Sequence, residues 1–182
     1  MMYLSPKLQI TRAIQVAIIL FVFPLLMLQG CGKEAQKTSS ESTCAFSSLT
    51  WDATTEDMIA EEGEDYETYD SIYKGLTYTY PKEFQGHTGM IKYMYDADGR
   101  LCNMSWAYTG TTADELQKIY QELCDAIAKD HGEGTTEDGV GNLCRMWVLK
   151  NETVMANAVI TDDTKVMQIA YMRADVSKQK NQ

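Results

Sequence analysis

Residues 90–109 read MIKYMYDADGRLCNMSWAYT. Two runs alternate apolar and polar side chains on either side of Asp96-Ala97-Asp98-Gly99. Alternation with a period of two marks strands, and Asp-Gly between two such runs marks a hairpin turn. The spacing predicts strands over 90–95 and 101–109, with Cys102, Met104, Trp106 and Tyr108 on one face. Working upstream, residues 76–80 alternate in the same way, and Phe46, Leu49 and Trp51 read as a first strand. Downstream, residues 143–149, 153–160 and 165–172 give three more strands, turning at Asn151-Glu152 and Asp162-Asp163.

Two helices punctuate this order. Thr54 caps a short one, with Glu56 and Asp57 at its positive end and Gly63 as its stop. Glu61 and Glu62 stand at its negative end, where acids are poorly placed. Thr112 and Glu115 form the capping box of a longer helix ending at His131-Gly132. On it Leu116, Ile119, Tyr120, Leu123 and Ile127 fall on one stripe. The expected fold is α+β: an antiparallel sheet of about six or seven strands with two helices on one face, in an αβββ-αβββ pseudo-repeat. The domain is expected over residues 44–176, with 64–70 and 134–141 as loops and 177–182 as a frayed tail.

The first thirty residues have another character. Lys7 and Arg12 are their only charges, and residues 13–28 are apolar except for Gln15. A basic start, an apolar core and a small residue at the cut describe a secretory signal. The run is short for a transmembrane helix, which needs ~20 apolar residues. It ends in Leu28-Gln29-Gly30-Cys31, which resembles the lipobox of bacterial lipoproteins: an apolar residue, a variable one, a small one, then Cys. Gln29 is a less usual choice at its place. The resemblance implies that the Cys31 thiol carries diacylglycerol, that cleavage makes Cys31 the mature N-terminus, and that the new amino group is open to acylation. Each buried CH₂ contributes ~0.8 kcal/mol, so two or three acyl chains hold where one would not. The other reading of the run is a plain N-terminal transmembrane anchor. Residues 31–43 then form the lipidated N-terminus and a polar, flexible tether.

A second resemblance lies at residues 51–63. Thr54, Asp57, Met58 and Gly63 match in spacing the entry helix of small lipoprotein domains of the SmpA/BamE kind. Asp52 replaces the usual Gly, and Glu61-Glu62 replace two apolar residues. β-Lactamase-inhibitor proteins are similar in their tandem helix-plus-sheet units. These resemblances imply a non-catalytic, surface-binding domain.

Charge narrows the function classes. The chain has 16 basic and 26 acidic side chains, and removing the two bases of the leader takes the net charge from −10 to −12. Such a surface repels phosphate backbones and lacks the basic cluster that nucleic-acid binding needs. Hydrophobic content of 45% is that of a folded domain rather than a disordered one. Beside Cys31 there are Cys44, Cys102, Cys124 and Cys144. They permit three disulfide pairings outside the cytoplasm, but their spacing favours buried thiols.

Recognised chemistry is sparse. His131 sits at the C-terminal end of a helix, which favours a partial positive charge. His87 reads as a loop residue. Ser71-Ile72-Tyr73-Lys74 matches Ser-x-x-Lys without its companion motifs. Asp96-Ala97-Asp98-Gly99 resembles a calcium loop, but Met94 and Ser105 stand where ligands are required, so it reads as a turn. No cofactor or metal motif is present. The remaining signal is the stretch Glu61, Glu62, Glu64, Tyr66, Tyr69 and Tyr73, whose acids would steer a basic partner and whose rings would supply contact area. The sequence therefore points to a membrane-tethered extracytoplasmic lipoprotein with a non-enzymatic binding role, toward a protein or a glycan; a cell-surface enzyme or enzyme inhibitor is the alternative. Mass spectrometry of the membrane-extracted chain is expected to find lipid on Cys31, and none after Cys31→Ser.

Overall fold

The structure is a computed structural model that describes residues 41–139 and 141–179. The leader, Cys31 and most of the tether lie outside the described residues. Three helices are present: α1 (Thr55–Glu62), α2 (Ala113–His131) and α3 (Ala174–Gln179). The strands are β1 (Glu67–Asp70), β2 (Lys74–Phe84), β3 (His87–Asp96), β4 (Leu101–Thr109), β5 (Thr135–Thr136), β6 (Asn142–Val148), β7 (Glu152–Ile160) and β8 (Lys165–Arg173). They form one sheet in the order β1-β2-β3-β4-β8-β7-β6-β5, antiparallel throughout.

The fold class is the expected α+β, with eight strands rather than six or seven. Residues 46–51 form no strand. They run as an irregular strap whose Phe46, Leu49 and Trp51 are buried in the core. The two added strands are β1 and β5, both read from the sequence as loops because acids and glycines have low strand propensity. Pairing with β2 and β6 makes them strands. Each half is therefore αββββ, and the halves meet where β4 pairs with β8. Residues 174–179 are helical, where fraying was expected from 177.

Both capping boxes form. Thr54 accepts from the Asp57 N–H at 3.2 Å, and the Thr54 N–H donates back to Asp57 at 2.9 Å. Glu115 accepts from Thr111 and Thr112 main-chain N–H groups and from Tyr108 Oη at 3.0 Å. Hydrogen bonds from the Thr111 hydroxyl and main chain, then from Tyr108, hold the Glu115 carboxyl down to about 2. Gly63 and Gly132 end the two helices at φ of 98° and 80°, where a side chain is strained.

β2 and β3 run further than the sequence pattern showed. Phe84 pairs with His87 around Gln85-Gly86, whose φ values of 51° and 79° are those of a tight two-residue hairpin turn. Pro81 hides the strand in the sequence. Its nitrogen points away from β3, on the side where β1 has already ended at the Glu67–Thr79 pair, so no ladder bond is lost. His87 is accordingly a strand residue, its ring 5.3 Å from that of Tyr108.

One face of the sheet carries the core. The α2 stripe packs there with Met104, Trp106, Ile169, Tyr171 and Val154, and Met58 of α1 joins through Tyr80. Trp106 is fully buried and reaches across β3 to donate to the Lys82 carbonyl at 3.0 Å. A Cβ on Gly89 would come within 2.6 Å of that indole, so the site needs glycine. Cys102 departs from the expected face. Leu101 and Asn103 pair with Tyr95 and Met94, leaving Cys102 as the extra residue of a bulge.

Leu123 is 3% exposed and Gln121 points to solvent, bonded to Asp125. Leu123→Ala is expected to cost about 2–5 kcal/mol in denaturant unfolding. Gln121→Ala is expected to stay within about 0.5 kcal/mol.

Candidate binding surface

The acidic, tyrosine-rich stretch does not form one face. Glu61, at the surface, is held by the strap, and Glu62 turns back into the fold. The Glu61 carboxyl accepts from Ser47 Oγ at 3.1 Å and the Ser48 N–H at 3.2 Å. Partial burial works to raise its pKa, but the bonds from Ser48 and Ser47 outweigh it and hold the group below the ordinary glutamate value. Glu62 meets Lys82 Nζ at 2.5 Å and accepts from Tyr93 Oη at 2.6 Å, with its side chain only 7% exposed. These partners stabilise two acids at the negative end of α1. Burial, and then the bond to Glu62, push the Tyr93 phenol up.

Strand alternation divides the tyrosines. Tyr66 lies edge-on to Tyr78 and Tyr80, with ring centres 5.2 and 5.8 Å away, on the helix side. Tyr69 pairs with Thr77 and faces the other side. Tyr73 lies in the turn between β1 and β2; burial raises its phenol pKa, and a hydrogen bond from Asn103 partly offsets this. Glu64 is exposed. The structure thus leaves Glu64, Tyr66 and Tyr69 accessible, with Tyr66 and Tyr69 on opposite sides of the sheet.

A broader surface lies on the sheet face opposite α1 and α2. Register runs one row across it as Tyr69, Thr77, Met94, Asn103, Met172, Thr153 and Val148. The next row runs Glu67, Thr79, Lys92, Ser105, Ala170, Met155 and Met146. A third contains Pro81, Met90, Ala107, Gln168, Asn157 and Cys144. Eight large hydrophobic side chains are exposed among the described residues, and five of them (Tyr69, Met90, Met146, Val148 and Val166) lie on this face. Over 88–94, 103–109, 153–159 and 166–172 the only charged residue is Lys92, in a chain that is 23% charged. Asn103 Oδ1, Ser105 Oγ and Asn157 Oδ1 are buried here without hydrogen-bond partners. Exposed apolar area with little charge is what contact surfaces present. The sequence shows the alternation of these residues, but not that the eight strands align it into one surface.

Other groups with chemical potential are engaged. Burial pushes the thiols of Cys102 and Cys124 up to about 11 and that of Cys44 to about 12, so none is a ready nucleophile. Cys44, Cys102, Cys124 and Cys144 are free thiols. The Asp96 carboxyl accepts from the Asp98 and Arg100 main-chain N–H groups, as a hairpin turn requires. A groove of about 300 Å³ beside this turn is lined by Tyr73, Arg100, Arg173 and Asp175. Its guanidinium groups already hold carboxylates, Arg100 on Asp96 and Arg173 on Asp175. Among the described residues no three His, Cys, Asp or Glu side chains gather to hold a metal ion, and no helix is long and apolar enough to cross a membrane. No protein-family model matches the chain, and no curated protein or solved structure matches it either.

The structure also shows how residues 42 and 43 are held. Glu152, 1% exposed, accepts from the Thr43 N–H at 2.9 Å, Ser42 Oγ at 3.1 Å and Trp51 Nε1 at 2.9 Å, and also from the Thr43 hydroxyl. His131 Nε2 stands 3.3 Å from that hydroxyl. Ser42 and Thr43 therefore make ordered contacts, inside the stretch expected to be flexible tether. The sequence placed Glu152 in a turn and gave no sign of this role. Glu152→Ala strands the buried Trp51 indole N–H, and is expected to cost about 1–3 kcal/mol for that donor left unpaired. Limited proteolysis is expected to open the chain near residues 42–46 in that variant.

Proposed function

We propose that this protein is a membrane-tethered extracytoplasmic lipoprotein, held by lipid on Cys31, whose domain binds another protein by contact and carries out no catalysis. The observation that supports this reading is the sheet face opposite α1 and α2. It gathers Met90, Met146, Val148, Val166 and Tyr69 as exposed apolar side chains, and over residues 88–94, 103–109, 153–159 and 166–172 its four central strands carry a single charge, Lys92. Methionine is flexible and polarizable, and it adapts to an irregular partner surface. The acids around the rim would speed approach of a basic partner, an effect that salt weakens. An enzyme inhibitor would use such a face in the same way, and the activity of the captured partner would tell the two apart.

Crosslinking in native membranes is the direct test. The wild-type chain is expected to capture a defined protein. The triple variant Met90→Lys, Met146→Lys, Val148→Lys is expected to lose capture by at least tenfold while circular dichroism and the melting temperature hold. Undiminished capture by the triple variant would reject the face. A hydrolytic activity lost with His87→Ala would reject the non-catalytic reading itself.

A further inference from the structure

We infer that the outer edge of β1 takes an extended, lysine- or arginine-bearing segment of a partner as an added strand. The inference rests on the reading that the domain works by contact, and it names the chemistry of the partner at one rim of the surface. The docking element is main chain. β1 is the edge strand, and all four of its residues are exposed. The Ser71 N–H donates to the Gly75 carbonyl at 2.8 Å, which turns the polar groups of Ser71 toward β2. Alternation along an antiparallel ladder then points Tyr69 and Glu67 inward, and Thr68 and Asp70 outward. The N–H and C=O groups of Thr68 and Asp70 therefore face away from the sheet, where no described strand pairs with them. Such an edge is a template for strand addition.

The opposite edge is closed in a way that this one is not. β5 is two residues long, and the loop after it bonds back to β6 through the Glu137 N–H to the Cys144 carbonyl and through a Gly139–Asn142 bridge. Charge then decides which strand β1 admits. Glu64, Asp65, Glu67 and Asp70 flank the edge, and no base occurs between Glu61 and Tyr73. A second copy would set like charges opposite one another, which destabilises strand pairing. A basic strand would set opposite charges there. On the uncovered face, Tyr69 is 47% exposed and offers its ring to a lysine or arginine of the added strand. The acids that discourage self-pairing thus select a cationic partner.

The test uses the full chain in detergent and a labelled ten-residue peptide of alternating lysine and valine, followed by fluorescence anisotropy and amide hydrogen exchange. Binding is expected, together with slowed exchange at Thr68 and Asp70. The double variant Glu67→Lys, Asp70→Lys is expected to bind at least tenfold more weakly with an unchanged circular dichroism spectrum. N-methylation of alternate peptide bonds on the peptide's pairing side is expected to weaken binding to a similar degree. No binding, equal binding of the N-methylated peptide, or unchanged exchange at Thr68 and Asp70 would overturn the inference. Capture from membranes that survives these outcomes, yet is still lost with the lysine substitutions at Met90, Met146 and Val148, would leave the contact reading standing without this edge. Loss of both would remove the reading itself.

Discussion

The ladder between β4 and β8 is the constraint on which the rest depends. Seven residue pairs, from Asn103 with Met172 to Thr109 with Val166, join strands about sixty positions apart in sequence. Each half of the domain has a helix and four strands, and α2 packs on β7 and β8. Pairing β4 with β8 sets Trp106 beside Ile169 and Met104 beside Tyr171 under the α2 stripe. Burying four such side chains contributes roughly 1.5–3 kcal/mol each, offset by the entropy of ordering the chain that carries them. Without that ladder the molecule would be two small sheets, each with an exposed hydrophobic edge.

Covering one face has consequences for the other. α2, α1 and the strap at residues 46–51 share the core side, and Glu152 fastens the start of the strap there through donors from residues 42, 43 and 51. Charge follows the same division. Acids at the helix starts sit on the favourable end of the helix dipole, and those at the end of α1 find Ser47, Ser48, Lys82 and Tyr93. The middle of the opposite face is left with small polar and methionine side chains. A sheet that meets only water on this side would be expected to alternate charged residues outward; over its four central strands this one places Lys92 there and otherwise Thr, Ser, Asn, Gln, Ala, Val and Met.

Much of the architecture is legible in short windows of sequence. The capping boxes at Thr54 and Thr112, the hairpin turn at Asp96–Gly99, the α2 stripe and six of the strands all depend on spacings of two to four residues. Local geometry decides those features, so local reading finds them. The candidate surface was legible only as composition. Tyr66 and Tyr69 are three positions apart and looked like neighbours on a loop, but a strand turns them to opposite sides of the sheet. Cys102 fell on the apolar period of its strand until a bulge, set by β3, displaced it.

By itself the sequence determined the α+β class, the order of helices and most strands, and the acidic balance of the chain. The tertiary structure alone decided that β1 and β5 are strands, that β4 meets β8, that Glu152 is a buried anchor, and that Met90, Met94, Met146, Met155 and Met172 align on the sheet face opposite α1 and α2. The physical reason is distance along the chain. Glu152 is held by donors 101 to 110 positions away, and the central ladder joins segments with a helix and three strands between them. Energies of that kind arise between parts of the chain that no local pattern brings together.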